Sequence, residues 1–415
     1  MDQSWLNGYK AIKEKFDYTY KGYNLKYLVA GHLGIDFDAK PAIRDVFKGF
    51  FVSCNFIDLS QALQTDKPTL ITYLINRPDY RDLANTAQSR YPESAVVNLS
   101  ALPLKKISPF SPSYIKHFFK ALFLVFGRSI GGNLNFKLYY AALTILLLNQ
   151  IRAIEKVKTQ NKVSRYICFN SSYRDETLLT LYFNKRNIET ITMQHGIFCE
   201  FKRFVPFDII NSENCVASKM LCWGQSTIDF LSSRGFTNDR FIVMGNLKYM
   251  DCRIDRVEQT FKHCLVLLGR GLYVETNNKL LAALQEYNKK HNNQIVFYVK
   301  KHPFLDDKDH AQFAKVADNM IFLGKEHSVQ NVLDSGLVDF SIAVNTTAYY
   351  ESMALGKPCL RWTEEENEDF YGIDDKFENL QQFEEKISYL KNMDQQELLQ
   401  QTKDVIRYIF NPNLK

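Results

Sequence analysis

From Val163 onward, short apolar runs alternate with amphipathic stretches, an order that an α/β layer with a parallel sheet accommodates and few other folds do. The pattern predicts strands over 165–169, 190–193, 208–210, 219–223 and 240–244, with helices over 175–185 and 226–234. A polar stretch, 248–260, interrupts the series, which then restarts. Strands are predicted at 264–268, 295–300, 321–323, 340–344 and 358–361, helices at 276–290, 329–335 and 348–355, and further helices close the chain through Phe410. The reading is an α/β protein with two doubly wound Rossmann-like domains whose strand C-termini face a cleft. The domains are placed at 1–246 and 260–395, with a last helix, 396–415, expected to cross back to the first domain.

The length of 415 residues suits such a pair, at roughly 100–200 residues per domain. A charged fraction of 24% beside 14% aromatics excludes general disorder. A net charge of +6 spread over this length argues against a nucleic-acid partner, which needs a clustered basic face, and suits an anionic ligand or membrane surface. Eight cysteines with no C-x-x-C pair point to a reducing cytosol. Residues 1–17 lack the apolar core of a signal peptide, so no export is expected. The apolar run 136–151 is broken by Lys137, Asn149 and Gln150, too short for the ~20 residues a bilayer demands, and is read as a buried core helix. Residues 114–128 set Lys116, His117, Lys120 and Arg128 among Phe and Leu, which fits either a helix lying on anionic lipid or one packed on its own domain. In the first 110 residues, 26–31 and 69–75 read as strands and the rest is unassigned.

Candidate chemistry falls at strand ends. Asn345, Thr346 and Thr347 open a helix, where backbone N–H and hydroxyl groups converge on an anion, and Glu351 lies one turn on, placed for a ribose diol. Helix capping alone would also explain Asn345 and Thr346. Lys300, Lys301 and His302, stiffened by Pro303, suit a diphosphate or departing phosphate. Gly269, Arg270 and Gly271 form a glycine-flanked Arg at another strand end, equally readable as a tight turn, and match neither a dinucleotide fingerprint nor a Walker loop. In the first half, His195 follows a strand and precedes Gly196, which makes it the general-base candidate. Asp175 and Glu176 are the competing bases or, alternatively, acids on the first turn of a helix. No Asp-x-Asp pair stands at a strand end, so no metal is expected, and Asp306 and Asp307 read as a solvated helix start.

With these residues in view, the chain resembles the GT-B glycosyltransferases of bacterial surface-polysaccharide synthesis, in particular the group of CDP-glycerol glycerophosphotransferases, polysialyltransferase-type enzymes and capsule Kdo transferases. The resemblance rests on Gln194-His195-Gly196, on Lys301-His302-Pro303, and on Asn345-Thr346-Thr347 with Glu351 and Gly356-Lys357-Pro358. It spans about 165–362, and Glu351 and Thr346 depart from the Asp and Ser usual in the glycerophosphotransferases. It implies a transferase that uses a CMP-, CDP- or UDP-linked donor as substrate and no cofactor, acting on a glycan or lipid-linked acceptor at the inner face of the cell membrane. A non-hydrolysing nucleotide-sugar 2-epimerase and a non-catalytic glycan-binding or assembly protein are the alternatives.

Overall fold

The computed structural model describes residues 3–36, 41–128, 130–157, 162–199, 207–236, 239–303, 305, 313, 319–324, 326–363 and 371–414. The chain divides into two compact units. The first holds most of the chain up to Ile242, and the second runs from Val243 to the C-terminus and includes the short segment Trp223–Thr227.

The first unit contains β1 (Thr19–Tyr20), β2 (Tyr23–Asn24), β3 (Asn55–Ile57), β4 (Thr69–Tyr73), β5 (Ser94–Asn98), β6 (Leu104–Lys106), β7 (Arg165–Cys168), β8 (Glu189–Met193), β9 (Lys219–Cys222) and β10 (Phe241–Val243). β1 with β2 and β3 with β6 make small antiparallel pairs, and the other six form one sheet in the order β10-β9-β8-β7-β4-β5. Its pairings from β9 through β5 are parallel. Every residue of β4 is buried, as expected of a central strand covered on both faces.

The helix Leu134–Ile154 is apolar nearly all round and accordingly lies in the interior, from Tyr140 through Ile151 without a break. Asn133 caps it by accepting the Phe136 N–H at 2.9 Å. Of its buried polar side chains, Asn149 meets His117 Nδ1 at 2.7 Å and donates to the Ser53 carbonyl, and Gln150 donates to Asp175 at 2.8 Å. Among the described residues no helix is long and apolar enough to cross a membrane.

Two expected strands are helices. The run 26–31 lies within the helix Leu25–Asp36, whose buried Leu25, Leu28, Val29 and Leu33 follow a 3.6-residue period that a six-residue window conceals. The run 208–210 lies within the helix Phe207–Glu213. Ile209 and Ile210 are buried side by side, and Gly34 lets the Ile210 side chain sit where any Cβ would collide with it.

The second unit contains β11 (His263–Leu267), β12 (Val296–Lys300), β13 (Ile321–Leu323), β14 (Phe340–Ala343), β15 (Cys359–Trp362) and β16 (Lys376–Phe377). They pair in parallel in the order β13-β12-β11-β14-β15-β16. The helix Gln395–Ile409, capped by Asp394, buries Leu398, Val405 and Ile406, and Phe410 just beyond it packs on Tyr249, Tyr350 and Trp223 of the same unit. Both units are thus Rossmann-like α/β layers.

Candidate functional site

In each sheet the strand order reverses once, and at such a reversal adjacent loops leave in opposite directions and open a crevice beyond the strand C-termini. In the second unit the reversal falls between β11 and β14. The register Lys300–Leu267–Ala343–Arg361 across four strands brings the blocks that follow them to one edge, in the order Lys301-His302, Gly269–Gly271, Asn345–Thr347 and Trp362–Thr363.

The two loops at the reversal are locked together. A Cβ on Gly269 would lie 2.9 Å from the Val344 carbonyl, so this close approach requires glycine. Asn277 grips Gly269 twice, its Oδ1 accepting the Gly269 N–H and its Nδ2 donating to the Gly269 carbonyl, both at 2.9 Å. Asn345 adopts a left-handed backbone with φ of 42°, a conformation Asn tolerates better than most residues, and its Nδ2 donates to the Tyr273 hydroxyl at 2.7 Å. Beyond this contact Gly271 is exposed with nothing near its α-carbon, and Arg270 is half-buried.

The expectation of an anion held at the start of the Ala348 helix meets a physical limit. That helix has only seven residues, Thr346 Oγ1 accepts the Ala348 N–H at 3.3 Å, and the N–H groups of Tyr349 and Tyr350 donate to the Thr346 and Thr347 carbonyls. Thr346 therefore acts as a cap. Glu351 is half-buried beside the interior phenol of Tyr249, whose ionisation burial and this carboxylate both oppose. Lys300 is a strut, its Nζ donating to the Gly324 carbonyl at 2.6 Å, and the half-buried Lys301 and His302 follow it on the loop. Asp306 and Asp307 lie outside the described residues.

Next to the reversal a recess is lined by Asn345, Thr346, Arg361, Trp362, Thr363 and Lys376. Trp362 is 5% exposed, and among the described residues its indole Nε1–H has no hydrogen-bond partner, an uncompensated donor in a buried setting. Arg361 is held from behind by Asp375, which accepts from its Nε at 2.7 Å and its Nη2 at 2.5 Å and also accepts from the Tyr349 hydroxyl. Burial outweighs these partners and pushes the Asp375 carboxyl up to about 6. None of the motif blocks includes these residues, although an Arg inside the otherwise apolar strand Cys359–Trp362 is a visible signal.

In the first unit the reversal falls between β4 and β7, and β8 stands beside β7. His195, just past the end of β8, is half-buried with its ring edge-on to Tyr80 at 5.6 Å and 6.4 Å from Tyr173. Tyr80 in turn stacks on Phe169 at 5.3 Å, so the loops after β4, β7 and β8 meet in one aromatic group. The competing carboxylates point inward. Asp175 is 1% exposed, paired with Arg174 at 2.8 Å, and although burial opposes its ionisation the guanidinium holds its carboxyl below the usual range. Glu176 is 0% exposed, accepts the Phe169 N–H at 3.1 Å, and is pushed well above the usual range by burial. Neither faces solvent, where an incoming hydroxyl would arrive.

Arg174 also lines a cavity of about 460 Å³ with His32, Lys48, Gly49, Tyr139 and Leu143. Burial and the Arg174 charge lower His32 to about 4, so its ring is neutral at physiological pH. Among the described residues no group of three or more His, Cys, Asp or Glu is gathered as a metal site would need.

No family model matches the chain, and no curated protein matches it. Several solved structures are similar to the chain. A UDP-GlcNAc 2-epimerase from Neisseria meningitidis, solved bound to UDP-GlcNAc, is similar at 12% identity and a TM-score of 0.49, covering 80% of this chain and 94% of that one. The corresponding epimerase from Rickettsia bellii is similar at 13% identity and a TM-score of 0.47, covering 82% and 96%. S. aureus TarM, solved as a point mutant in complex with Fondaparinux, alpha-GlcNAc-glycerol and UDP, is similar at 16% identity and a TM-score of 0.42, covering 63% of this chain and 55% of that one.

Proposed function

We propose that this chain is a transferase that moves a sugar or polyol phosphate from a nucleotide-activated donor to a glycan or lipid-linked acceptor, with the nucleotide on the second unit and the acceptor on the first. The observation that carries this reading is the recess beside the β11–β14 reversal, which Asn345, Thr346, Arg361, Trp362 and Thr363 line at the strand ends. Lys301, on the neighbouring loop, and Arg270 supply the positive charge that a departing phosphate needs, with His302 as hydrogen-bond donor or general acid, so the reaction as read requires no metal. Glu351 keeps its assignment to the ribose. His195 takes the proton from the acceptor hydroxyl, and the cavity at Arg174 is the acceptor's place, with Arg174 and Lys48 offering charge to an anionic group. The choice of a surface or capsular polysaccharide as acceptor rests on the resemblance of the three sequence blocks.

The experiment that tests the reading is a melting series with CMP, CDP and UDP. A ligand bound only to the native state raises the melting temperature by mass action, so one of the three is expected to do so. No shift with any of them at millimolar concentration removes the donor site. Conversion of a UDP-sugar with no acceptor present would replace transfer by 2-epimerisation.

A second expected outcome concerns His302. Placed against the developing phosphate charge, it should contribute ~10²–10³-fold to turnover, the size typical of one transition-state donor. Steady-state kinetics of His302→Ala at saturating donor check this, and near-normal turnover excludes the role.

A further inference from the structure

Two neighbouring helices of the first unit each carry an apolar face that the unit does not cover. The helices Ile43–Cys54 and Pro112–Gly127 both pack on Leu134–Ile154, and the rings of Phe50 and Phe118, 6.2 Å apart, close the seam between them. Gly49 brings the first helix within reach of Ala142, and Ser53 bonds to the Tyr114 hydroxyl at 2.7 Å, so the pair is fixed in place. Their inward residues, Val46, Tyr114, Ala121 and Val125, are buried. On the outward side Ile43, Phe47 and Phe51 recur at a spacing of four, and Ile115, Phe119 and Phe123 repeat that spacing on the second helix. Phe47 is 69% exposed and Phe123 74%, and Phe110, in the turn before the second helix, is 85% exposed. An exposed aromatic face of this extent marks an interaction surface.

Charge identifies its partner. Between Glu93 and Glu155 the chain carries no Asp or Glu, and on the second helix Lys116 is exposed and Lys120 half-buried. On the first helix Arg44 and Lys48 are exposed beside the Phe stripe and outnumber its one acid, Asp45, which lies 3.7 Å from Arg44. A second copy of the chain brought against this face would set cations against cations. An anionic bilayer meets both demands at once, because Phe side chains enter the boundary between headgroups and acyl chains while Lys and Arg stay at the lipid phosphates.

We propose that the first unit docks on an anionic lipid bilayer through the Phe stripes of these two helices, with the flanking Lys and Arg on the headgroups. The inference concerns a face and not the strand-end site; because Lys48 also lines the cavity proposed for the acceptor, it is read by vesicle binding and not by activity. Flotation of the full chain with vesicles tests it. Binding is expected to phosphatidylglycerol-containing vesicles, to weaken as salt is raised, and to be far weaker on phosphatidylcholine alone. Phe47→Ser combined with Phe119→Ser and Phe123→Ser should reduce binding by about tenfold or more, with the melting temperature unchanged because all three side chains are exposed. Lys48→Glu with Lys116→Glu should reduce binding to the anionic vesicles, which keeps the test decisive should the Phe variant fold poorly. Wild-type binding by both variants, equal binding to neutral vesicles, or sedimentation as a dimer that the Phe substitutions dissociate would each overturn the proposal.

Discussion

A His195→Ala variant is expected to lose transfer by ~10²–10⁴-fold while retaining its affinity for nucleotide, the span typical of a positioned general base. An acceptor hydroxyl is a weak nucleophile until its proton is removed, and imidazole is the side chain best matched to that task near neutral pH. His195 stands at a strand C-terminus, half-buried, with Tyr80 and Tyr173 limiting how its ring can turn. The carboxylates that could replace it are enclosed: Asp175 is committed to Arg174 and Gln150, and Glu176 to the Phe169 N–H. Asp175→Asn and Glu176→Gln should therefore show themselves chiefly as losses of stability, through the helix Arg174–Asn184 that they anchor. The deciding measurements are transfer at saturating donor for all three variants and nucleotide-induced melting shifts for His195→Ala. Undiminished transfer by His195→Ala, with activity lost in either carboxylate variant, would move the base to that carboxylate.

What the chain discloses before folding differs sharply between its two parts. The strands β11 to β14 of the second sheet are short, mainly apolar runs, and the run over 321–323 coincides with β13, whereas β16, Lys376–Phe377, has no such signal. Site blocks at those strand ends were legible for the same reason, since a polar cluster straight after a buried run stands out. Their grouping was not, because it depends on strand order: β11 lies between β12 and β14, a matter of pairing between segments far apart in the chain. Lys300 and Lys301 look alike as adjacent letters, yet the alternation of a strand sends one to the Gly324 carbonyl and leaves the other on the loop. In the first unit the periods are harder to separate. The run 26–31 is apolar enough for either element, and its helical period emerges only over the longer stretch Leu25–Asp36. The recess at Trp362 was hidden for a further reason, since an indole N–H lacking an acceptor is a property of the folded surroundings alone.

Arg361→Met is expected to destabilise the protein by about 3–5 kcal/mol at neutral pH, the range for breaking a buried ion pair from one side. The guanidinium provides two of the hydrogen bonds to Asp375, donates to the Ile373 carbonyl and lies over the Tyr349 ring. Without it, Asp375 is a fully buried carboxyl that keeps the Tyr349 hydroxyl but has lost its counter-charge. The sign of the pH dependence follows from linkage. In the wild type the folded carboxyl, at about 6, already lies above its unfolded value, so this group contributes stability at low pH that is lost as pH rises through 6. Removing the cation moves the folded value higher still, so the variant gains more than the wild type as the medium is acidified. The penalty of the substitution should therefore be largest in mildly alkaline solution and shrink steadily down to about pH 6, below which both folded forms are protonated at this site. Urea unfolding of the two proteins at a series of pH values measures the difference directly. A penalty that stays constant, or grows on acidification, would mean that Asp375 enters the interior already neutral and that Arg361 is held by something other than its charge.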